Sequence, residues 1–440
     1  MTEGSSFKKI LIIYPHWHPT NLAGVHRPRL IGNFLKELGW RPYVLTVREE
    51  YFEETPDPDF IHTFSKDFNI TRVKALKAVR PRIVGDIGLR AFNSLYTKGK
   101  EIIKEEKIDF IWLPIPSFYN SLLGRLLYEK TKIPYGIDYI DPWVRDLTNQ
   151  SGLRAELSQT FARFLEPIAI KKAALISGVS APYYEPALKR NFPGFYDADK
   201  KLLPETINPN TGKKIAHIAM PYGFDPRDHN MILENVNFPW NEEPEGQKNW
   251  IYAGAFLPNS HVLLSAFFEA VQNLRKRGLW DESIRLWFIG TGEYPAKKIT
   301  EYATEFGLKE IVKEKRERYP FLQVLNFLSA ADTVMIIGST EKHYTASKTF
   351  QALLSKKPVI SVFHKESSAV EIMQECSADQ YTVRYDPDEK SNKLVARFEK
   401  KLLKRLSSRS WNPNLSALDK FSAKESARRL VNAIERATVS

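Results

Sequence analysis

Residues 344–360, YTASKTFQALLSKKPVI, place two hydroxyl side chains and a lysine at the start of an apolar, helix-spaced run. The run follows the strand-like TVMIIG (333–338). Thr345, Ser347 and Lys348 at a helix N-terminus are the chemistry of a phosphate site, because free backbone N–H groups, hydroxyls and an ammonium all favour an anion there. The same residues also fit a plain helix cap with Lys348 in solvent. A second stretch, HWHPTNLAGVHRPR (16–29), sets Gly24 at the start of another helix among histidines and the arginines Arg27 and Arg29. Glycine there lets backbone approach an anion closely. His16 and His18 lack a carboxylate partner in any metal-ligand spacing, so no metal is assigned to them.

A third stretch, GIDYIDPWVRD (136–146), follows an apolar strand and carries Asp141, Trp143 and Arg145. A carboxylate beside a ring and a guanidinium can orient or deprotonate a hydroxyl. Asp141 before Pro142 fits a helix N-cap equally well. Two further loops, YAGAF with Gly254 and IGTGE with Gly292, also follow strand-like runs. IGTGE lacks the third glycine of a dinucleotide fingerprint, and neither a GxxxxGK[ST] loop nor a GxSxG elbow occurs. Nicotinamide chemistry, P-loop hydrolysis and esterase chemistry are therefore disfavoured.

The elements that must position these loops alternate along the chain as strand and helix. Strand-like runs are expected at 9–14, 42–47, 109–115, 134–140, 174–180 and 214–220, and again at 250–256, 284–290, 333–339, 358–363 and 380–385. Such alternation is the signature of parallel sheets wrapped by crossover helices, with ligands beyond the carboxyl ends of the strands. Residues 225–249 are polar, proline-rich and aperiodic, which suits a linker. A chain of 440 residues exceeds what one core supports, so two doubly wound domains are expected: 1–225, then a linker over 226–249, then 250–415.

Composition sets the class. Hydrophobic residues at 43% and aromatic residues at 12% supply large cores rather than disorder. The single cysteine, Cys376, rules out an internal disulfide and fits a buried apolar position in a reducing compartment. The N-terminal apolar run is too short for a signal peptide or membrane span, so a cytoplasmic protein is expected. The excess of 64 basic over 52 acidic side chains, a net +12, suits anionic partners. Basic residues show no aromatic-interleaved stripe, which excludes nucleic acid. Residues 74–107 mix lysine and arginine with leucine, isoleucine and phenylalanine; they fit either a solvated helix with one core face or a patch on the anionic inner face of a membrane.

Taken in order, NLAGVHRPRL, DYIDPW, SGVSAP, PYGFD, YAGAFLP, FIGTGE, RYPFLQVLNFLSAAD and SKTFQALLSKKPVI resemble bacterial glycosyltransferases of the two-domain GT-B type, close to glycosyltransferase family 4. The resemblance runs from about residue 8 to the end. It implies an α/β fold of two Rossmann-like domains facing a central cleft, with the acceptor held mainly by the first and the nucleotide-sugar mainly by the second. The last helix, 416–440, would pack back on the first domain. The implied activity moves a sugar from a nucleoside diphosphate sugar to a hydroxyl acceptor, a glycan or a lipid-linked species, with retention of configuration and no bound metal or other cofactor. The alternatives are a GT-B nucleotide-sugar epimerase, which needs no acceptor, and a non-catalytic glycan- or nucleotide-binding subunit.

On that resemblance Lys348 would meet the diphosphate and Asp141 the acceptor hydroxyl. Gly24, Arg27, Gly254, Gly292, Thr345, Ser347 and Gln351 would line the nucleotide-sugar side, and His18, Asn21, Trp143 and Arg145 the acceptor side. Aligning SKTFQALL with the family's SKLFEYLA puts Gln351 where a glutamate usually meets the donor ribose, and His343 where its partner glutamate stands. The family's arginine and lysine after the first strand of the second domain are absent from YAGAFLPNSH.

Overall fold

A computed structural model describes residues 7–78, 85–145, 153–256, 258–293, 297–342, 348–408 and 410–438. The chain divides into two compact units, 1–225 with 421–440, and 226–420. Each is an α/β unit built on a mostly parallel sheet.

In the first unit the strands are β1 (Lys8–Ile13), β2 (Trp40–Val47), β3 (Asn69–Val73), β4 (Phe110–Ile115), β5 (Tyr135–Tyr139), β6 (Leu175–Gly178), β7 (Glu205–Ile207) and β8 (Lys214–Ala219), ordered β3-β2-β1-β4-β5-β6-β8-β7. All pairs are parallel except β7 on β8. The helices are α1 (Ala23–Gly32), α2 (Ile87–Arg90), α3 (Phe92–Glu106), α4 (Ser121–Thr131), α5 (Leu153–Ile170) and α6 (Ala181–Asn191). Strand β4 is buried at every position, as a parallel strand covered on both faces must be. Helix α1 stops early, and Gly39, at φ 81°, ends the short turn before β2.

The second unit orders its strands β11-β10-β9-β12-β13-β14, all parallel: β9 (Lys248–Ala253), β10 (Ile284–Ile289), β11 (Val312–Lys315), β12 (Thr333–Ile337), β13 (Val359–His364) and β14 (Thr382–Tyr385). Its helices are α7 (His261–Lys276), α8 (Ile299–Glu305), α9 (Phe321–Ala330), α10 (Lys348–Leu354), α11 (Ser368–Glu375) and α12 (Ser391–Ser407). The core is aromatic-rich: Phe267 meets Phe398 edge-on at 5.6 Å, and Phe268 meets Phe288 at 5.9 Å. Helix α13 (Ala423–Thr438) lies in the first unit, where Ala423 N–H donates to the Phe224 carbonyl.

Residues 226–249 do not stand free. Phe238 and Trp240 stack on each other at 5.4 Å and both meet Phe327 of α9, while Asn326 binds the Met231 carbonyl at 2.9 Å. Among the described residues no helix is long and apolar enough to cross a membrane. Cys376 is buried, and burial pushes its thiol up to about 11.

Candidate functional site

In the second unit the carboxyl ends of β9 and β10 carry glycines in backbone conformations that side chains rarely adopt. Gly254, at φ 122°, follows β9, and Gly290 and Gly292, at 65° and 76°, follow β10. Their backbone is fixed: Gly254 N–H donates to Ile289 at 2.8 Å, Phe256 N–H to Thr291 at 3.0 Å, and Gly292 N–H to Arg316 at 3.1 Å. The Arg316 guanidinium returns a bond to the Gly292 carbonyl at 2.6 Å. The result is a rigid pair of turns side by side on neighbouring strands.

Lys348, the first residue of α10, reaches these turns. Its ammonium donates to the Tyr252 hydroxyl at 2.7 Å and to the Ala255 carbonyl at 2.8 Å, and it sits 4.5 Å from the Tyr252 ring centroid. A Cβ built on Gly254 would lie 2.6 Å from Lys348 Cε. The glycine is what lets the lysine lie along the turn. Both partners are neutral, and among the described residues no carboxylate repays the desolvation, so burial pushes the Lys348 ammonium down to about 7. A half-buried cation with no carboxylate partner among the described residues is a site that an anion would complete.

One turn along α10, Gln351 accepts a hydrogen bond at 2.5 Å from Nε2 of His229. Burial lowers the His229 pKa, which favours the neutral ring, and its buried Nδ1 has no partner. With Oε1 engaged, the amide presents its N–H groups as donors. Thr349, fully buried, leaves its hydroxyl without a partner on the same helix. The structure thus brings Lys348 and Gly254 into contact, sets Gly292 one strand away, and gives Gln351 a fixed partner. Thr345 and Ser347, like His343, lie outside the described residues.

In the first unit the carboxyl ends of β1 and β2 gather a second polar cluster. Gly24 lies in α1 beneath Tyr14: a built Cβ would sit 1.9 Å from the Tyr14 hydroxyl, so that ring, rather than an approaching ligand, demands glycine. His16 lies 3.6 Å from Glu54 and against Phe52, with ring centroids 5.5 Å apart. Burial lowers the His16 pKa against the opposing pull of Glu54, and burial raises that of Asp86 at the N-cap of α2. Arg90, buried, pairs with Glu53 at 3.2 Å. A cavity of about 510 Å³ opens beside this cluster, lined by His18, Thr20, Phe52 and the carboxylates Glu49, Glu50 and Glu54. His18 also touches the Pro58 carbonyl at 3.1 Å, and Asn21 donates to Asp57 at 2.6 Å.

Several expectations need correction. Arg27 is fully buried; its guanidinium forks onto Asp138 at 2.5 and 3.0 Å and spends its remaining reach on the Pro221 carbonyl at 2.8 Å. It presents no donor to a ligand's phosphate. Arg29, also fully buried, donates to the Thr63 carbonyl at 2.9 Å and lies 5.2 Å from the Phe60 ring. Trp143 is buried and stacked on Phe118 at 5.7 Å, which makes it core support for the loop rather than a contact surface. Residues 142–145 are not helical, so Asp141 caps nothing there; it is half-buried in a loop beyond β5. Arg145 is exposed and folds back on the Pro142 carbonyl at 3.0 Å.

Sequence reasoning missed Tyr252, His229, Glu54 and Asp86. Tyr252 had a local signal, lying two residues before Gly254 on the same strand. His229 had none, since it meets Gln351 across 122 positions of sequence.

No protein-family profile and no curated protein sequence matches the chain. Solved structures do. HepE of Anabaena, solved in complex with UDP and glucose, is 15% identical over 98% of this chain and 100% of its own, with a TM-score of 0.57. Sucrose-phosphate synthase from Thermosynechococcus elongatus is 14% identical over 98% of each chain, TM-score 0.55. A putative UDP-N-acetylglucosamine 2-epimerase from Listeria monocytogenes is 13% identical over 98% of this chain and 96% of its own, TM-score 0.52. The architecture is the GT-B fold, two parallel-sheet domains of eight and six strands.

Proposed function

We propose that this chain is a nucleotide-sugar-dependent glycosyltransferase of the GT-B kind, similar to glycosyltransferase family 4. The observation that carries it is Lys348, an ammonium desolvated beside Gly254 at the carboxyl end of the second sheet, whose partners among the described residues are all neutral. A nucleoside diphosphate supplies the missing negative charge. The solved structures of similar fold support the same donor class, since HepE was solved with UDP and glucose.

In this reading the donor's anomeric carbon–oxygen bond breaks and the electron pair leaves on the diphosphate, where Lys348 meets the developing charge without a metal. Gly254 and Gly292 let the backbone approach the diphosphate, Thr345 and Ser347 add hydroxyls, and the Gln351 amide donates to a ribose oxygen. The acceptor hydroxyl attacks the anomeric carbon, and Asp141 orients it and receives its proton. Retention of configuration belongs to the same proposal and requires that the hydroxyl attack on the face the diphosphate leaves. His18, Asn21 and Arg145 belong to the acceptor side, where the acceptor is a glycan or a lipid-linked species. Gly24 holds the start of α1 under Tyr14, while Arg27 and Trp143 serve the fold. The setting is the cytoplasm.

The fold similarity to a putative UDP-N-acetylglucosamine 2-epimerase favours one rival, epimerisation of a nucleotide-sugar. A panel of nucleoside diphosphate sugars, with and without sugar acceptors, separates the readings. Nucleoside diphosphate release that depends on an acceptor and yields a glycoside is the expected result. Free sugar formed without acceptor marks the epimerase, and no turnover and no binding with any donor sinks both.

A further inference from the structure

Helix α5 has an inner face that is firmly held and an outer face that is not. Inward, Ala162, Glu166, Ala169 and Ile170 are buried. The Ala169 carbonyl accepts from the Tyr135 hydroxyl at 2.6 Å, and Glu166 joins Tyr139 at 3.2 Å and Arg190 at 2.5 Å. Outward, Leu157, Phe161 and Phe164 follow one another at i, i+4 and i+7, a single stripe of the helix. They are 52%, 57% and 68% exposed. Leu126 on α4, which packs beside α5, adds another partly exposed leucine at 37%. Two phenylalanines and a leucine in water on one rigid helix face are an unburied apolar patch that a monomer in solution gains nothing from.

The expected membrane patch at 74–107 is not this surface. Helix α3 buries Leu95, Gly99, Ile102 and Ile103 and turns residues such as Glu101, Lys104 and Glu105 outward. Lys98 pairs with Glu101 at 2.8 Å, so the outer face is a mixed-charge solvated one.

We propose that the outer face of α5 docks on an anionic lipid bilayer, with Leu157, Phe161 and Phe164 seated at the level of the acyl boundary. Two observations choose the bilayer over a second copy of the chain. The first is area: partly exposed side chains of this size bury on the order of 300 Å², against about 800 Å² per partner in a stable dimer. An interfacial helix needs no more than one such stripe. The second is charge. Among the described residues Arg163 on α5 and Lys171 just past its end are exposed beside the one exposed carboxylate of the helix, Glu156, on a chain of net +12, which complements anionic headgroups. The docking is independent of the donor chemistry, since it uses no residue of the nucleotide site.

The test is co-sedimentation of the full chain with vesicles of phosphatidylcholine alone and with phosphatidylglycerol added. Wild type is expected to pellet with the anionic vesicles and to be released by salt. Phe161→Ser with Phe164→Ser is expected to lower the bound fraction about tenfold or more. Arg163→Glu, which leaves the stripe intact and the fold untouched, is expected to weaken binding to anionic vesicles only. Thermal unfolding of both variants checks that they fold, and nucleotide binding on the same samples reports the donor site separately. Wild type that stays in the supernatant, or variants that pellet as wild type does, overturns the proposal. A dimer in solution that the double substitution converts to monomer also overturns it, in favour of a second copy.

Discussion

Lys348 lies across Gly254 so closely that any side chain at the glycine would strike it, with a Cβ 2.6 Å from Lys348 Cε. The lysine's position therefore depends on a residue with no side chain, on a different element. Gly254→Ala is expected to push the ammonium off the Tyr252 hydroxyl and to weaken nucleoside diphosphate binding about tenfold, or ~1.4 kcal/mol, or more. The strained φ of 122° adds a fold cost. Calorimetric titration beside thermal unfolding separates the two; unchanged affinity in a folded variant contradicts the role given to this contact.

The same lysine should make binding depend on pH. Its folded pKa of about 7 lies below the ordinary lysine value. A bound diphosphate favours the charged form, so binding takes up a proton above pH 7 and affinity falls as pH rises, by up to about tenfold per unit. The linkage to folding has the opposite sense. Between pH about 7 and the ordinary lysine range the unfolded chain holds the proton that the folded chain has lost, so this group makes stability rise with pH there and adds no slope below it. Lys348→Met should abolish both slopes. Titrations of wild type in two buffers of different ionisation enthalpy would show the proton uptake directly, and equal heats in both would count against it.

Arg27 was expected at the donor and is instead half of a buried ion pair. Asp138 takes both its fork bonds and a third from Ser177 at 2.7 Å. Arg27→Ala leaves a buried carboxylate uncompensated, and urea unfolding of the first unit should show a loss of about 3–5 kcal/mol. Nucleotide affinity, which the proposal assigns to the second unit, should survive in the folded fraction. Loss of affinity without loss of stability would restore the arginine to the site.

Gln351→Glu would place a carboxylate on His229. The folded pKa of His229, now lowered by burial, would rise toward or above the ordinary histidine value because the charged ring gains a partner. Relative to the parent, the variant gains stability as pH falls through the histidine range and loses that gain as pH rises past the new folded pKa. Ring NMR of His229 across pH 5 to 8, the usual histidine window, checks it; an unmoved titration would show that the pair is not coupled.

The sheets were largely legible because buried parallel strands read as apolar runs: KILII, FIWLPI and TVMII carry no other plausible pattern. The missed strands are those the core does not need. β3 is mostly half-exposed, β7 is short and antiparallel, and β11 reads VKEK, with only Val312 buried. Their pairing comes from an edge already in place rather than from their own periodicity. The site was legible where chemistry and position coincide within a few residues, as in Lys348 after β12 or Gly254 after β9. It was illegible where a side chain's partner lies far away in sequence. Arg27 meets Asp138 across 111 positions, and a sequence cannot show that a guanidinium beside a glycine loop has already been claimed.

The central claim is that the second unit binds a nucleoside diphosphate through Lys348. Isothermal titration of UDP and other nucleoside diphosphates into wild type and Lys348→Ala at pH 7 tests it most directly. Saturable binding by wild type, weakened about tenfold or more in the variant, is the expected result. No binding of any nucleoside diphosphate by wild type, or equal binding by the two proteins, would contradict it.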